Sequence, residues 1–197
     1  IGCKVGRTTF ELAAGFHHVT GVDATARQIR IGVEMVDKGY TQWEIPKEGS
    51  IVDFRQAHLS DLGLDQSREK VEFLQADLAN MKERFKGYDL ILLNGVLERS
   101  YDPAKFLADV HQRLNDGGLL VIATNQDWDG KHTPPDQWIG GYKAANGENV
   151  WTTDGLEEHL QAHFDRHGEV AELPHVVRQH ATRYTVDLMQ VSVWQKR

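Results

Sequence analysis

The sequence has one cysteine, Cys3, so it cannot form an internal disulfide, and a lone thiol fits a reducing compartment. No run approaches the roughly 18 apolar residues that a membrane helix requires. These two absences lead us to expect a cytoplasmic protein without a membrane partner. Positive charge is also scarce. Lys and Arg number 22 against 29 Asp and Glu, and the net charge of -7 argues against a nucleic-acid partner. There is no internal repeat, low-complexity tract or linker. At 197 residues, 40% of them hydrophobic, the chain suits a single soluble domain with its own core.

Apolar strand patterns alternate with helical ones, which implies an α/β domain with a mainly parallel sheet. Helices are expected over Arg7–Ala14 and Ala26–Lys38, the latter with Ile29, Val33 and Val36 on one face. Strands are expected in "HHVTGVD", "KVEFLQAD", "YDLILLNG" and "LLVIAT". Asp102 and Pro103 mark a helix start, Phe106, Val110 and Leu114 supply its buried stripe, and "NDGG" should stop it. A last helix, capped by Thr153 and reaching about His167, should precede two strands around Gly168–Val177 and Tyr184–Gln195. Two segments exceed a minimal doubly wound fold. Residues 40–69 read as an inserted β-hairpin arm turning at Pro46–Gly49, and residues 125–151 as a long ordered loop suited to a substrate.

The chain opens with "IGCKVGRTTFELA". Gly2 and Gly6 let the backbone approach a ligand, and the helix from Arg7 offers N–H groups. Lys4 stands where a dinucleotide loop needs its middle glycine, which counts against NAD or FAD. Asp23 and Asp77 each close a strand, where a carboxylate accepts from ribose hydroxyls or from an adenine amine. Either acid alone reads equally well as a cap or turn residue. Together with the loop and "LLNG" they fall at the ends of successive strands, where open α/β sheets bind ligands. Almost no strand precedes the loop, so the native polypeptide is expected to extend upstream of Ile1 through most of a first strand and a helix.

This constellation resembles the class I S-adenosylmethionine-dependent methyltransferases, whose first motif is written G-x-G-x-G, often with a cysteine after the first glycine. The resemblance implies a Rossmann-like fold with an antiparallel C-terminal strand and helices on both faces. It also implies S-adenosylmethionine as cofactor and S-adenosylhomocysteine as product. Gly2, Cys3 and Gly6 would border the cofactor's methionine part, Asp23 and Ala24 the ribose, Asp77 and Leu78 the adenine, and Asn94 the methionyl side. A narrower likeness rests on "FHHVTGVDATARQI", "YTQWEIPKEGSIVDF", "LERSYDPAKFLADVHQRLNDGGLLV", "WIGGYK" and "ENVWTTDGLEEHL". These resemble the methyltransferase domain of ovothiol biosynthesis. They imply methylation of the side-chain-proximal ring nitrogen of 5-thiohistidine (4-mercaptohistidine), giving ovothiol A. The partner implied is an iron-dependent sulfoxide synthase, covalently linked or separate.

An amino-acid substrate offers a carboxylate, an ammonium and a ring. Arg178 or Arg183 would pair with the carboxylate and Glu98 with a cationic group, while Trp128, Trp138 and Tyr142 would wall the ring. The arginines read equally as a solvated strand edge, and the aromatics as loop packing. Methyl transfer needs no nucleophilic side chain, so Cys3 reads as a packed residue rather than a catalyst. His159, His163 and His167 at spacing four mimic a metal site, but no ligand pattern accompanies them and no metal is expected. Two other readings stay open: a methyltransferase acting on another small nucleophile, and a non-catalytic cofactor-binding module of the synthase.

Overall fold

Asp102 and Pro103 begin a helix as their chemistry requires, with Asp102 Oδ1 accepting from the Lys105 amide at 3.0 Å. The computed structural model describes residues 1–197. Its elements are α1 (Arg7–Leu12), β1 (Val19–Asp23), α2 (Ala26–Lys38), β2 (Tyr40–Glu48), β3 (Ile51–His58), β4 (Val71–Gln75), β5 (Tyr88–Asn94) and α3 (Pro103–Asp109). They continue with β6 (Leu114–Thr124), β7 (Tyr142–Lys143), β8 (Asn149–Val150), α4 (Thr152–Leu160), β9 (Phe164–Arg166), β10 (Ala171–His180) and β11 (Arg183–Lys196). Two compact units result. One comprises Gly2–Gln75 with His175–Asp187, and the other Ile1, Ala76–Pro174 and Leu188–Arg197.

In the first unit β1 and β4 run parallel, from Val19↔Val71 to Asp23↔Gln75. Phe10 and Phe73 meet at 5.5 Å between ring centres and anchor a core with Ile29, Met35, Leu59 and Leu64. Gly32 of α2 faces the Phe73 ring, where any Cβ would come within 2.9 Å. That seat turns Ile29, Gly32 and Met35 inward and leaves Val33 40% exposed, a rotation from the face expected. β2 and β3 form an antiparallel hairpin with Trp43 opposite Arg55. Its turn comes after Glu48 rather than at Pro46, because Pro46 pairs with Val52 ahead of a bulge.

In the second unit β5 and β6 are parallel, β11 runs antiparallel to β6, and β9 pairs with β11. Strand order is β10-β11-β6-β5. Ile1 lies along the edge of β5, its nitrogen donating to Leu92 O at 2.6 Å and its carbonyl accepting from Asn94 N at 3.1 Å. Leu93, Leu120, Ile122, Leu160 and Trp194 are fully enclosed, and each such side chain stabilises the fold by about 1.5–3 kcal/mol relative to exposure.

Two expectations fail here. α3 ends at Asp109, and "NDGG" lies inside β6 as a bulge: pairing jumps from Tyr88↔Leu114 to Leu90↔Leu119. Asn115 holds that bulge by donating to Asp89 Oδ1 at 2.7 Å. The last helix starts at Thr152, not after a Thr153 cap, with Asp154 Oδ2 accepting from the Trp151 amide at 2.9 Å. It stops at Leu160, because Phe164 enters β9 and is buried against Leu160 and Trp194. His159, His163 and His167 therefore share no helix face. His159 Nδ1 lies 2.8 Å from Gly155 O, while His163 stacks on His111 at 3.7 Å between ring centres.

Candidate functional site

The opening loop turns on three left-handed residues, Gly2 (φ 75°), Lys4 (φ 51°) and Gly6 (φ 102°). The Gly2 and Cys3 amides both donate to Val22 O, at 2.8 and 3.1 Å, which lays the loop along β1. Asp23 fixes the turn. Its Oδ2 accepts from Lys4 N at 3.0 Å and its Oδ1 from Thr25 N at 2.9 Å. The Gln28 amide, with its nitrogen turned toward Asp23, donates to both oxygens at 3.1 and 3.3 Å. A carboxylate has about four acceptor sites, and these four hydrogen bonds fill them. Rotation of Gln28 away frees one site on each oxygen, room for the two ribose hydroxyls. The residues present thus fit a ribose-bearing cofactor. Ala24 is exposed next to Asp23, and its carbonyl accepts from Gln75.

Cys3 is half-buried, and burial pushes its thiol up to about 11. It stays protonated at neutral pH and is no nucleophile. Gly6 is required twice over, by its φ and because an added Cβ would sit 2.5 Å from Phe73 Cζ. Lys4 pays only the left-handed conformational cost. Opposite effects are expected in chemical denaturation: Gly6→Ala loses about 2 kcal/mol, whereas Lys4→Gly gains about 0.5–1 kcal/mol.

The other cofactor candidates lie in the second unit. Asp77 caps a short 3₁₀ turn, Leu78–Asn80, through Ala79 N at 3.0 Å and is otherwise exposed. Leu78 is buried in the core, and Asn94 ends β5 half-buried.

Glu98 follows β5 in a 3₁₀ turn and is only 2% exposed. Its Oε1 accepts from the Thr124 hydroxyl and from Gln126 N at 2.9 Å, while its Oε2 is buried without a partner. Burial raises its pKa above the ordinary carboxylate value, against backbone hydrogen bonds that favour the ion. Gln126 takes a left-handed φ of 58° to deliver that amide, and its side chain donates to Gln190 Oε1 at 2.5 Å. Thr124 and Gln190 also line a small, shallow cleft with Leu156, Arg166, Ser192 and Trp194. Sequence reasoning found Glu98 but missed Thr124, Gln126 and Gln190. The one available signal was their position at the C-terminal end of a parallel strand and beside it.

Trp128 and Trp138 come together at 6.3 Å and 32°. Both indole N–H groups are already engaged, Trp128 with Thr152 Oγ1 and Trp138 with Thr133 O, each at 2.8 Å. Buried Thr133 in turn donates to Ser100 O at 2.8 Å, so the long loop is anchored internally. Tyr142 is 44% exposed at the start of β7. Arg178 lies in the first unit, donating to His180 O and Ala181 O at 3.3 and 2.9 Å and stacking on Tyr184 at 5.5 Å. Arg183 is exposed at the start of β11.

The sequence matches the family described as "Methyltransferase domain" over residues 1–180. The chain belongs to that methyltransferase family. No curated protein matches it. Among solved structures, this methyltransferase is similar to a SAM-dependent methyltransferase from Methanosarcina mazei at 18% identity and TM-score 0.59, covering 99% of this chain and 89% of that one. It is also similar to the N-methyltransferase NodS from Bradyrhizobium japonicum, solved with S-adenosylhomocysteine (15% identity, TM-score 0.57, 99% and 74% covered). The [4+2]-cyclase SpnF is a comparable neighbour, at 14% identity, TM-score 0.58, and 99% and 73% covered. Such likeness establishes the class I methyltransferase fold, and a fold alone does not name a reaction. No helix of this methyltransferase is long and apolar enough to cross a membrane.

Proposed function

We propose that this methyltransferase uses S-adenosylmethionine to methylate the side-chain-proximal imidazole nitrogen of 5-thiohistidine, giving ovothiol A and S-adenosylhomocysteine. The cofactor assignments of Gly2, Cys3, Gly6, Asp23 and Ala24, and of Asp77, Leu78 and Asn94, belong to the same proposal, as does a sulfoxide synthase that supplies the acceptor. The observation that carries it is the buried Glu98 carboxyl with one oxygen lacking a donor. The ring nitrogen's lone pair forms the N–CH₃ bond as the C–S⁺ bond breaks, and the sulfur leaves as a neutral thioether. Positive charge passes to the ring, which then releases the proton of its other nitrogen. A carboxyl of raised pKa is suited to receive that proton. Arg178 or Arg183 pairs with the substrate carboxylate.

Isotopic methyl transfer tests the reading. Label from S-adenosylmethionine is expected in the N-methyl product of 5-thiohistidine, well above that in histidine or an ergothioneine-type acceptor. Label in another imidazole, thiol or carboxylate instead would replace the substrate while leaving the methyltransferase assignment standing. Cofactor binding without transfer to any acceptor would favour the binding-module reading.

A further inference from the structure

The arm formed by β2 and β3 has one covered face and one open face. Ile45, opposite Asp53, is 8% exposed, whereas Phe54, opposite Glu44, is 75% exposed. Residues directly opposite in an antiparallel pair share a face, so Phe54 and Glu44 stand together on the open one. Asp53 is neutralised by Arg55 at 2.5 Å, while Glu44 is exposed and unpaired. The neighbouring Lys47 and Glu48 offset each other at the turn, so Glu44 sets the sign of this face. β2 and β3 pair with no other strand, and a lone hairpin is marginal in water unless a further surface covers it.

The ribbon of β10 and β11, over His175–Asp187, shows the same asymmetry. His175 meets Asp187 on one face at 3.8 Å, while Arg178 lies over the Tyr184 ring at 5.5 Å on the other. Strand alternation adds Val176 and Val186 to the Tyr184 face, and all three of these side chains are more than half exposed. β10 is the edge of its sheet, and an exposed apolar edge is a template for association. Arg178 uses only two of its five N–H donors, on His180 O and Ala181 O. The Ala181 amide donates to Pro46 O at 2.8 Å, so the ribbon's turn and the arm form one continuous piece of the first unit.

We propose that these two surfaces bind each other between two copies of the chain, the arm of each copy lying on the ribbon of the other. One surface is apolar and acidic, the other apolar and basic, and a single chain carries both. Phe54 of one copy covers Val176 and Val186 of the second, and Glu44 pairs with Arg178 at the rim. The same contact forms twice about a two-fold axis, which closes the assembly at a dimer. A net charge of -7 opposes association of like chains in general, so the local pairing of opposite charges selects this register. Arg178 is then an interface residue, and of the two arginines Arg183 remains for the substrate carboxylate.

Sedimentation velocity over a concentration series is the test. Wild type is expected to be dimeric at about 100 μM, since specific interfaces reach micromolar affinity or better. Phe54→Ser changes a side chain that the fold leaves bare, and is expected to weaken the dimer roughly tenfold. Val186→Ser, which leaves the turn bonds of Arg178 in place, is expected to do the same. Glu44→Arg and Arg178→Glu each set like charges face to face and are expected to weaken it by about tenfold or more. Combining the two reversals is expected to recover most of that loss. A wild type that stays monomeric overturns the dimer and leaves these surfaces to a different protein. A dimer indifferent to Phe54→Ser and Val186→Ser overturns the surfaces assigned, and a double reversal no tighter than either single one overturns the Glu44–Arg178 pair.

Discussion

Gly155→Ala is expected to lose about 3 kcal/mol of stability, which for a chain of this size lowers the melting temperature by about 6–12 °C. Helix propensity alone predicts the reverse, because Ala exceeds Gly by about 0.8–1 kcal/mol inside a helix. The difference lies in what faces the residue. A Cβ built on Gly155 would stand 1.7 Å from Ile139 O and 2.7 Å from Ile139 C, a clash with backbone that no rotamer change relieves. Gly140 meets the same helix from the other side, its Cβ position 2.4 Å from Thr152 N. The "WIGGY" backbone thus lies directly on the first turn of α4. Relief requires moving the loop, and with it Trp128, whose indole donates to Thr152 Oγ1 at 2.8 Å. Circular-dichroism melting checks the sign, and an unchanged or raised melting temperature would show that the loop lifts away without loss.

The same contact shows where sequence reading reached its limit. The two glycines of "WIGGY" allow close backbone approach, toward α4 for Gly140 and toward Trp128 for Gly141. Glycine spacing reports that a neighbour is near and says nothing of which neighbour. Local chemistry was legible where it is self-contained. α2 runs from Ala26 to Lys38 as expected, because an apolar face and a Gly39 terminator at φ 77° suffice to define it. The Asp102–Pro103 start needed no tertiary contact either. The helix stop at Leu160 did, since it depends on Phe164 preferring the company of Trp194 to a further helical turn. Of the candidate site, Asp23 and Lys4 could be picked out by position, but the hydrogen bond joining them could not. The hydrogen bonds among Glu98, Thr124, Gln126 and Gln190 were invisible. They link residues up to 64 positions apart, and one of them takes a backbone conformation that its side chain gives no reason to expect.

Glu98→Gln is expected to lower turnover roughly a hundredfold, the scale of losing a positioned proton acceptor, while its stability relative to wild type improves as pH rises. The two effects share one cause. Burial raises the folded-state pKa of Glu98 above the ordinary glutamate value of 4.5. The folded protein therefore holds that proton more tightly than the unfolded chain does. The stability contributed by the protonated carboxyl is complete below about pH 4.5 and is lost as pH climbs through the folded value. Glutamine does not titrate, and its carbonyl still accepts from Thr124 and Gln126 as Oε1 does now. The stability difference between variant and wild type should then move in the variant's favour as pH rises above about 4.5 and level off above the folded pKa. Urea denaturation across that range measures the shift, and kcat for methyl transfer at the upper end measures the loss. A carboxylate kept only to hold Thr124 and Gln126 in place would leave kcat intact in the glutamine variant. A stability difference that stays flat with pH would mean that Glu98 titrates normally, and the case for a buried proton acceptor would fall with it.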